Sequence, residues 1–174
     1  EYRTKVKEAS NLLLELVNDV LDMSKLESGE VVLEEIPFNL SKIAEEVLTV
    51  IEQMAAERNI RIVWEKKEIT HRDFIGSQGY VKRVMMNILS NAVKYNRENG
   101  QIYISCMEIP SKQPEVTTME FVCRDTGIGM ADEFQKHIFE PFVQEHAGSC
   151  TKFAGTGLGM PITKKLVEKM DGTI

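Results

Sequence analysis

Three glycines stand at alternate positions before an apolar, helix-like run in the segment FAGTGLGMPITKKL, residues 153–166. This pattern excludes two nucleotide-binding folds. A dinucleotide fingerprint would need its third glycine where Met160 stands, after a strand rather than the polar QEHAGSC, and a P-loop would end in Gly-Lys-Ser or Gly-Lys-Thr. The glycines therefore need another explanation. One is that Gly155, Gly157 and Gly159 present backbone N–H groups to an anion at a helix N-terminus.

The other apolar residues predict a mixture of helices and strands. Helical spacing occurs in residues 11–26, 41–54, 78–95 and 160–170, and strand-like runs occur within 31–40 and at 60–65, 101–108 and 118–125. Ser41 and Ser77 are expected to cap the second and third helices. The last two strands flank one short loop, so they are expected to pair antiparallel. The predicted fold class is an α+β two-layer sandwich preceded by one long helix, with a boundary near Gly29.

Charge and cysteine content exclude several classes of function. The net charge is −6 and no block of Lys and Arg offsets it, so no nucleic-acid partner is expected. Cys106, Cys123 and Cys150 are odd in number and widely spaced, which argues against a disulfide framework and a zinc site. The first two are expected to be small buried side chains. The cysteine usage indicates a reducing compartment, so a cytoplasmic location is expected. No apolar run approaches the ~20 residues of a membrane span, so we expect a soluble chain without direct membrane contact.

The predicted helix VKRVMMNILSNAVKYN, residues 81–96, has two distinct faces. Asparagine disfavours helix interiors because its side chain competes for backbone hydrogen bonds, so Asn87 and Asn91 on one face are costly. Their amide oxygens would suit Mg²⁺, and Lys94 one turn further would suit a phosphate. Alternatively, both asparagines cap neighbouring loops or face solvent. The polar face comprises Arg83, Asn87, Asn91 and Lys94, and the apolar face comprises Val81, Val84, Met85, Ile88, Leu89, Ala92 and Val93.

Two further segments are candidates for ligand contact. In CRDTGIGM, residues 123–130, a strand ends at Asp125, whose carboxylate can accept from an exocyclic amine while the following glycines let the backbone approach a flat ring. The alternative is ordinary turn chemistry. IFEPFVQ places Phe139 and Phe142 around a proline, a pattern more typical of a core than of a cofactor contact. The polar segment before the three glycines is predicted to be a mobile lid that contains Lys152.

Taken in order, four stretches resemble the N, G1, F and G2 boxes of sensor histidine kinases. They are NILSNAVKY, DTGIGM, FEPF and GTGLGM, and NLLLELVNDVLDMSKLESGE is similar to the second helix of the family's dimerisation and phosphotransfer hairpin. The resemblance implies a Bergerat-type fold, with helices on one face of a mixed, mostly antiparallel sheet. It also implies two domains: residues 1–29 as the hairpin helix, and residues 30–174 as the catalytic ATP-binding domain, truncated at its C-terminal strands.

The resemblance assigns a role to each matching residue. Asn91 would ligate Mg²⁺ with help from Asn87, Lys94 and Tyr95 would touch the phosphates, and Asn87 and Lys94 would serve catalysis. Asp125 would recognise the adenine amine, and Leu158 would anchor the end of the lid. The implied nucleotide contacts are Asn87, Asn91, Lys94, Tyr95, Asp125, Gly127, Gly129, Met130, Lys152, Gly155, Thr156, Gly157, Leu158 and Gly159.

The implied activity is transfer of the ATP γ-phosphoryl group to a histidine, for relay to the aspartate of a response-regulator receiver domain. ATP and Mg²⁺ are the implied ligands, and the N-terminal helix implies a homodimer. The phosphorylated histidine of such kinases lies on the hairpin's first helix, so this chain is expected to bind ATP without phosphorylating itself. His71, His137 and His146 stand in other contexts and are expected to be surface or structural residues.

Two other functions remain open from the sequence. The chain could be a nucleotide-binding dimerisation module without kinase activity, although Asp125 and the lid glycines are all retained. It could instead hydrolyse ATP in the manner of gyrase-like ATPases. That reaction expects an acidic general base on the asparagine-bearing helix, and the position four residues before Asn91 is Asn87.

Overall fold

The computed structural model describes residues 2–65, 69–109, 111, 113, 115–145 and 155–174. The described chain forms two compact units, which we call the sheet unit, residues 33–129, and the helix unit, residues 1–32 with 130–174. In chain order the elements are α1 Tyr2–Ser28, β1 Ile36–Asn39, α2 Leu40–Ala56, β2 Arg61–Glu65, β3 Asp73–Gly76, α3 Gln78–Lys94, β4 Gln101–Ile109, β5 Thr118–Asp125, α4 Asp132–Gln135 and α5 Gly159–Lys169.

The sheet unit contains two sheets. In the larger one, β4 lies between β2, which it pairs in parallel, and β5, which it pairs antiparallel. In the smaller one, β1 and β3 pair antiparallel, with the rings of the partners Phe38 and Phe74 5.9 Å apart. The predicted α+β class and the antiparallel pairing of β4 with β5 are confirmed. The sequence did not predict β3, because DFIG is only four residues long and ends in glycine.

The core of the sheet unit lies between one face of the larger sheet and helices α2 and α3. Side chains four residues apart on α2, such as Ile43 and Val47, are fully buried, as the helical period requires. On β4 the buried side chains alternate, as the strand period requires. The buried cluster comprises Ile43, Val47, Ile51, Ala55, Ile60, Met85, Leu89, Ala92, Val93, Ile102 and Ile104.

Neither predicted serine cap forms. Helix α2 begins at Leu40, so Ser41 lies inside it, and the Asn39 side chain accepts from the Lys42 N–H at 3.2 Å. Asparagine is as good an N-cap as serine, and the extended backbone of Asn39 suits that position. Ser77 does precede α3, but its hydroxyl makes no cap bond. It accepts instead from the Glu34 N–H and donates to the Glu34 carbonyl, joining the segment before β1 to the start of α3.

Helix α1 is longer than the sequence indicated and exposes apolar side chains along its length. Tertiary contacts, not its own periodicity, usually limit where such a helix can begin. Within the described part of the chain, no helix is both long enough and apolar enough to cross a membrane. The exposed apolar residues of α1 include Leu13, Leu14, Leu16, Val17, Val20 and Leu21.

The thiols of the sheet unit are expected to be unreactive. Cys106 is buried, and burial raises the pKa of its thiol. Burial, together with the nearby Asp125 carboxylate, raises the pKa of Cys123 to about 12. The thiolate is the reactive form, so alkylation of Cys123 by iodoacetamide at pH 8 should be about a thousandfold slower than in the urea-unfolded chain. Peptide-level mass spectrometry would measure both rates, and equal rates in folded and unfolded protein would contradict the prediction.

Candidate nucleotide-binding site

The polar face predicted for α3 is present in the structure. Asn87 and Asn91 are half-buried, one turn apart, while Met85 and Leu89 enter the core. Lys94, at the end of the helix, places its ammonium 4.9 Å from the centroid of the Tyr95 ring, a cation–π contact. Asn87 and Tyr95 also make further contacts, so this face is already engaged with its surroundings.

Arg58 holds the C-terminal end of this helix. Its guanidinium donates to the carbonyl oxygens of Lys94 at 2.8 Å and Asn96 at 2.7 Å, and also to that of Val93. Carbonyls in the last turn of a helix lack intrahelical partners, so one guanidinium satisfies several of them at once. Sequence reasoning missed Arg58, because an arginine after α2 carries no local signal for a partner far along the chain.

The turn after β5 is bonded to the same helix end. The Asp125 Oδ1 atom accepts from the Gly127 N–H at 2.8 Å, so the turn chemistry weighed from the sequence is real. The Ile128 N–H then donates to the Tyr95 carbonyl at 3.0 Å. Asp125 is exposed, and within the described part of the chain its Oδ2 atom makes no hydrogen bond. One carboxylate can thus shape the turn with one oxygen and accept from a ligand with the other.

Asn96 links that turn to the start of β4. Its side chain is almost fully buried, donating to the Gln101 carbonyl at 3.1 Å and accepting from the Arg97 N–H at 2.9 Å. The Thr126 hydroxyl also lies 3.3 Å from the Asn96 Oδ1 atom. Buried polar groups with several partners fix a local geometry. Sequence analysis did not identify this role, because the side chain of Asn96 bonds to backbone atoms, which carry no sequence signal.

In the helix unit, the glycine loop is the segment Gly155–Gly159 that leads into α5. Gly157 has a φ of +72°, which suits glycine, and its carbonyl accepts from the Phe142 N–H at 3.2 Å. The Gln144 amide donates to the Gly155 carbonyl at 2.7 Å, and Leu158 is fully buried. The FEPF segment therefore supports the loop through backbone contacts, while the Phe142 side chain remains 64% exposed.

Comparison with known proteins identifies the family. Residues 76–174 match the family described as histidine kinase-, DNA gyrase B-, and HSP90-like ATPase. The chain belongs to this family. Within it, the signal transduction histidine-protein kinase BarA of Escherichia coli strain K12 is 34% identical over 174 residues, which are 100% of this chain and 19% of BarA.

Solved structures of histidine kinases share the fold. Full-length ShkA in complex with AMPPNP superimposes with a TM-score of 0.76 at 28% identity, covering 98% of this chain and 34% of ShkA. ThkA in complex with the response regulator protein TrrA gives a TM-score of 0.72 at 24% identity, covering 98% of this chain and 44% of ThkA. Within this ATPase family the chain is thus similar to histidine kinases, and the gyrase-like alternative is not favoured.

The candidate residues of this ATPase-family chain fall in both units. Asn87, Asn91, Lys94 and Tyr95 lie on α3 and at its end, and the turn from Asp125 to Gly129 is bonded to Tyr95 within the sheet unit. The helix unit carries Met130, which is exposed, and the glycine loop. Lys152, His146 and Cys150 lie outside the described residues.

The two described histidines contact carboxylates. His71 Nδ1 lies 2.7 Å from Glu108 Oε1, and the His71 backbone N–H donates to Oε2 of the same residue at 3.0 Å. His137 Nδ1 lies 2.7 Å from Glu140 Oε1, and this hydrogen bond raises the pKa of the imidazole above its usual value. Both histidines therefore hold local surface structure, as expected from the sequence.

Replacing Gly127 with alanine should disrupt the turn. A Cβ there would clash with the Tyr95 carbonyl and lie 2.6 Å from Asp125 Oδ1, so the turn or the helix end must move. We expect the free energy of unfolding to fall by about 1–3 kcal/mol, measured by urea denaturation followed through the fluorescence of Trp64. The matched control is Gly79→Ala in α3, where a Cβ would meet nothing within 4 Å. An equal effect of both substitutions would contradict the prediction.

Proposed function

We propose that this domain binds Mg-ATP and transfers the γ-phosphoryl group to a histidine in the intact protein. The observation that carries the proposal is the junction between the Asp125 turn and the end of α3, made by the Ile128–Tyr95 backbone hydrogen bond. Asp125 is an exposed carboxylate, and this bond joins its turn, which contains two glycines, to the end of the helix that carries the Lys94–Tyr95 pair. A carboxylate and a narrow glycine turn suit an adenine ring, and a lysine beside them suits phosphates.

The proposed nucleotide contacts divide by chemistry. Asp125 accepts from the adenine amine, and Gly127 and Gly129 admit the ring, with Met130 as an apolar contact. Lys94, Tyr95 and Lys152 meet phosphate oxygens. In the helix unit, α5 begins at Gly159, so the backbone N–H groups around its first turn are those left without intrahelical acceptors. Gly155, Thr156, Gly157 and Gly159 are proposed to receive phosphate oxygens there, and Leu158, whose N–H donates to the Thr156 hydroxyl, is proposed to anchor the end of the lid beside the nucleotide.

Asn91 and Asn87 fit a magnesium ion. Their amide oxygens are hard donors, and they lie half-buried one turn apart on the same helix face, so both could ligate one ion whose other ligands are phosphate oxygens and water. Bound there, Mg²⁺ would neutralise charge on the triphosphate. We therefore expect Asn91→Ala to reduce the Mg²⁺ dependence of ATP binding, raising the dissociation constant about tenfold with Mg²⁺ and much less without it. Calorimetry with and without EDTA would show this, and equal losses in both conditions would contradict it.

These residues are proposed to act by positioning the reacting groups and stabilising charge during phosphoryl transfer. In the transfer, the bond from the γ-phosphorus to ADP breaks and a bond to the histidine nitrogen forms. The transition state spreads charge over the phosphoryl oxygens, so cations and backbone donors lower its energy. Lys94 supplies a cation for this, and Asn87 orients the groups beside it. The acceptor histidine belongs to the intact protein, in which we propose a homodimer through α1, relay to a response-regulator receiver domain, and a cytoplasmic location.

Titration calorimetry with a non-hydrolysable ATP analogue tests the nucleotide site. We expect binding that Mg²⁺ strengthens and that is at least about tenfold weaker for the matching GTP analogue, since guanine has a carbonyl oxygen in place of the 6-amino group of adenine that Asp125 recognises. Circular dichroism of the same sample would verify that the chain is folded. A folded chain that binds neither analogue, or binds both equally, would overturn the proposal.

A further inference from the structure

One face of α1 contacts the glycine loop and α5 within the helix unit. The Asp19 Oδ2 atom accepts from the Thr156 hydroxyl at 2.8 Å. Met23, one turn further, is buried, and Glu27, one turn further again, lies 3.6 Å from the Lys165 ammonium. Residues four apart share a helix face, so these three contacts form one continuous surface. None of the three α1 residues lies in the segment that matches the ATPase family.

The hydrogen bonds of Thr156 determine what its side chain can offer a ligand. A threonine hydroxyl carries a single proton. In this structure the hydroxyl uses that proton in its hydrogen bond to Asp19, while the hydroxyl oxygen accepts a hydrogen bond from the Leu158 N–H at 3.1 Å. Phosphate oxygens accept hydrogen bonds and do not donate them at neutral pH. Thr156 therefore cannot donate to a phosphate while it donates to Asp19.

We propose that the Asp19–Thr156 hydrogen bond is an autoinhibitory contact between α1 and the phosphate-binding loop, an inference that rests on the proposed function. Asp19 accepts the hydrogen bond that a phosphate would otherwise accept from Thr156. It also adds a negative charge beside a loop that would receive a polyanion. A movement of α1 that withdraws Asp19 releases the hydroxyl. Because binding coupling is reciprocal, a bound triphosphate in turn weakens the attachment of α1 to the loop. Helix α1 and the nucleotide thus compete for the one hydrogen bond that the Thr156 hydroxyl can donate.

The test compares binding of the non-hydrolysable ATP analogue to the wild-type chain and to Asp19→Ala. Loss of the competing acceptor should tighten binding about three- to tenfold. Glu27→Ala is the matched control, because it removes the same charge from the same face at a position that contacts Lys165 instead. It should change the affinity less than about twofold. Asp19→Asn, which keeps an acceptor but loses the charge, should fall between Asp19→Ala and the wild type.

A double-mutant cycle shows whether the effect passes through Thr156. In a Thr156→Val background the hydroxyl is absent, so Asp19→Ala should then change the affinity little. Tighter binding by Asp19→Ala that vanishes in this background supports the contact, as would binding detected only in Asp19→Ala. Unchanged or weaker binding by folded Asp19→Ala, with wild-type binding intact, overturns the autoinhibitory role alone. Absence of binding in both proteins overturns the proposed function and this inference with it.

Discussion

Asp125→Asn is expected to weaken binding of the ATP analogue about a hundredfold while leaving the fold intact. The asparagine side chain has the same shape, and its oxygen can still accept from the Gly127 N–H, the hydrogen bond that shapes the turn. Its second polar group, however, is an NH₂ donor. Two donors would then face each other where the carboxylate would accept from the adenine amine.

Calorimetry would measure the loss, and urea denaturation would show that the free energy of unfolding changes by less than about 1 kcal/mol. Asp132→Asn is the matched control, because Asp132 is an exposed carboxylate in the first turn of α4, outside the proposed contacts. Wild-type affinity in Asp125→Asn would remove this residue from the nucleotide site. A large loss of stability without selective loss of binding would instead make the carboxylate a purely structural part of the turn.

The sequence predicted those parts of the fold that follow from local periodicity. The α2 and α3 helices and the strands β2, β4 and β5 each carry enough apolar residues at one period to be recognised, and their buried faces agree with that period. The four-residue strands β1 and β3 carry little periodic information, and their pairing becomes evident only from the Phe38–Phe74 register. The predictions that Ser41 and Ser77 cap their helices were wrong for a related reason. Several polar residues near a helix start can serve as caps, and tertiary contacts select among them.

The residues of the candidate site likewise fall into those that the sequence predicted and those that it did not. The sequence motifs identified Asp125, the glycines and the asparagine face as candidates. In the structure Asp125 and Gly127 form a hydrogen-bonded turn, and the asparagines lie on α3. The residues that support them were missed, because Arg58 and Asn96 act through carbonyl oxygens of distant residues. A side chain bonded to backbone atoms leaves no pattern in the sequence of its partner. Positioning residues of this kind are therefore found in structures, while the residues proposed to contact the nucleotide were recognised in motifs.

Arg58→Ala is expected to lower the free energy of unfolding by about 3 kcal/mol. The substitution removes donation from one charged group to three carbonyl oxygens at the end of α3. It thereby leaves part-buried acceptors without these hydrogen bonds, and each such loss costs more than the net gain of an ordinary hydrogen bond. Since Tyr95 and the Asp125 turn are bonded to the same helix end, we also expect weaker ATP binding in this variant.

Urea denaturation followed by Trp64 fluorescence reports directly on the sheet unit, because this single tryptophan lies in β2. A loss of about 3 kcal/mol corresponds to a midpoint lower by roughly 1–2 M urea. Arg61→Ala is the matched control: the Arg61 side chain is exposed, so the change should stay within about 0.5 kcal/mol. Arg58→Lys should recover only a minor part of the loss, since an ammonium lacks the planar fork that reaches several carbonyls together. Equal destabilisation by Arg58→Ala and Arg61→Ala would show that the helix end is held by other contacts.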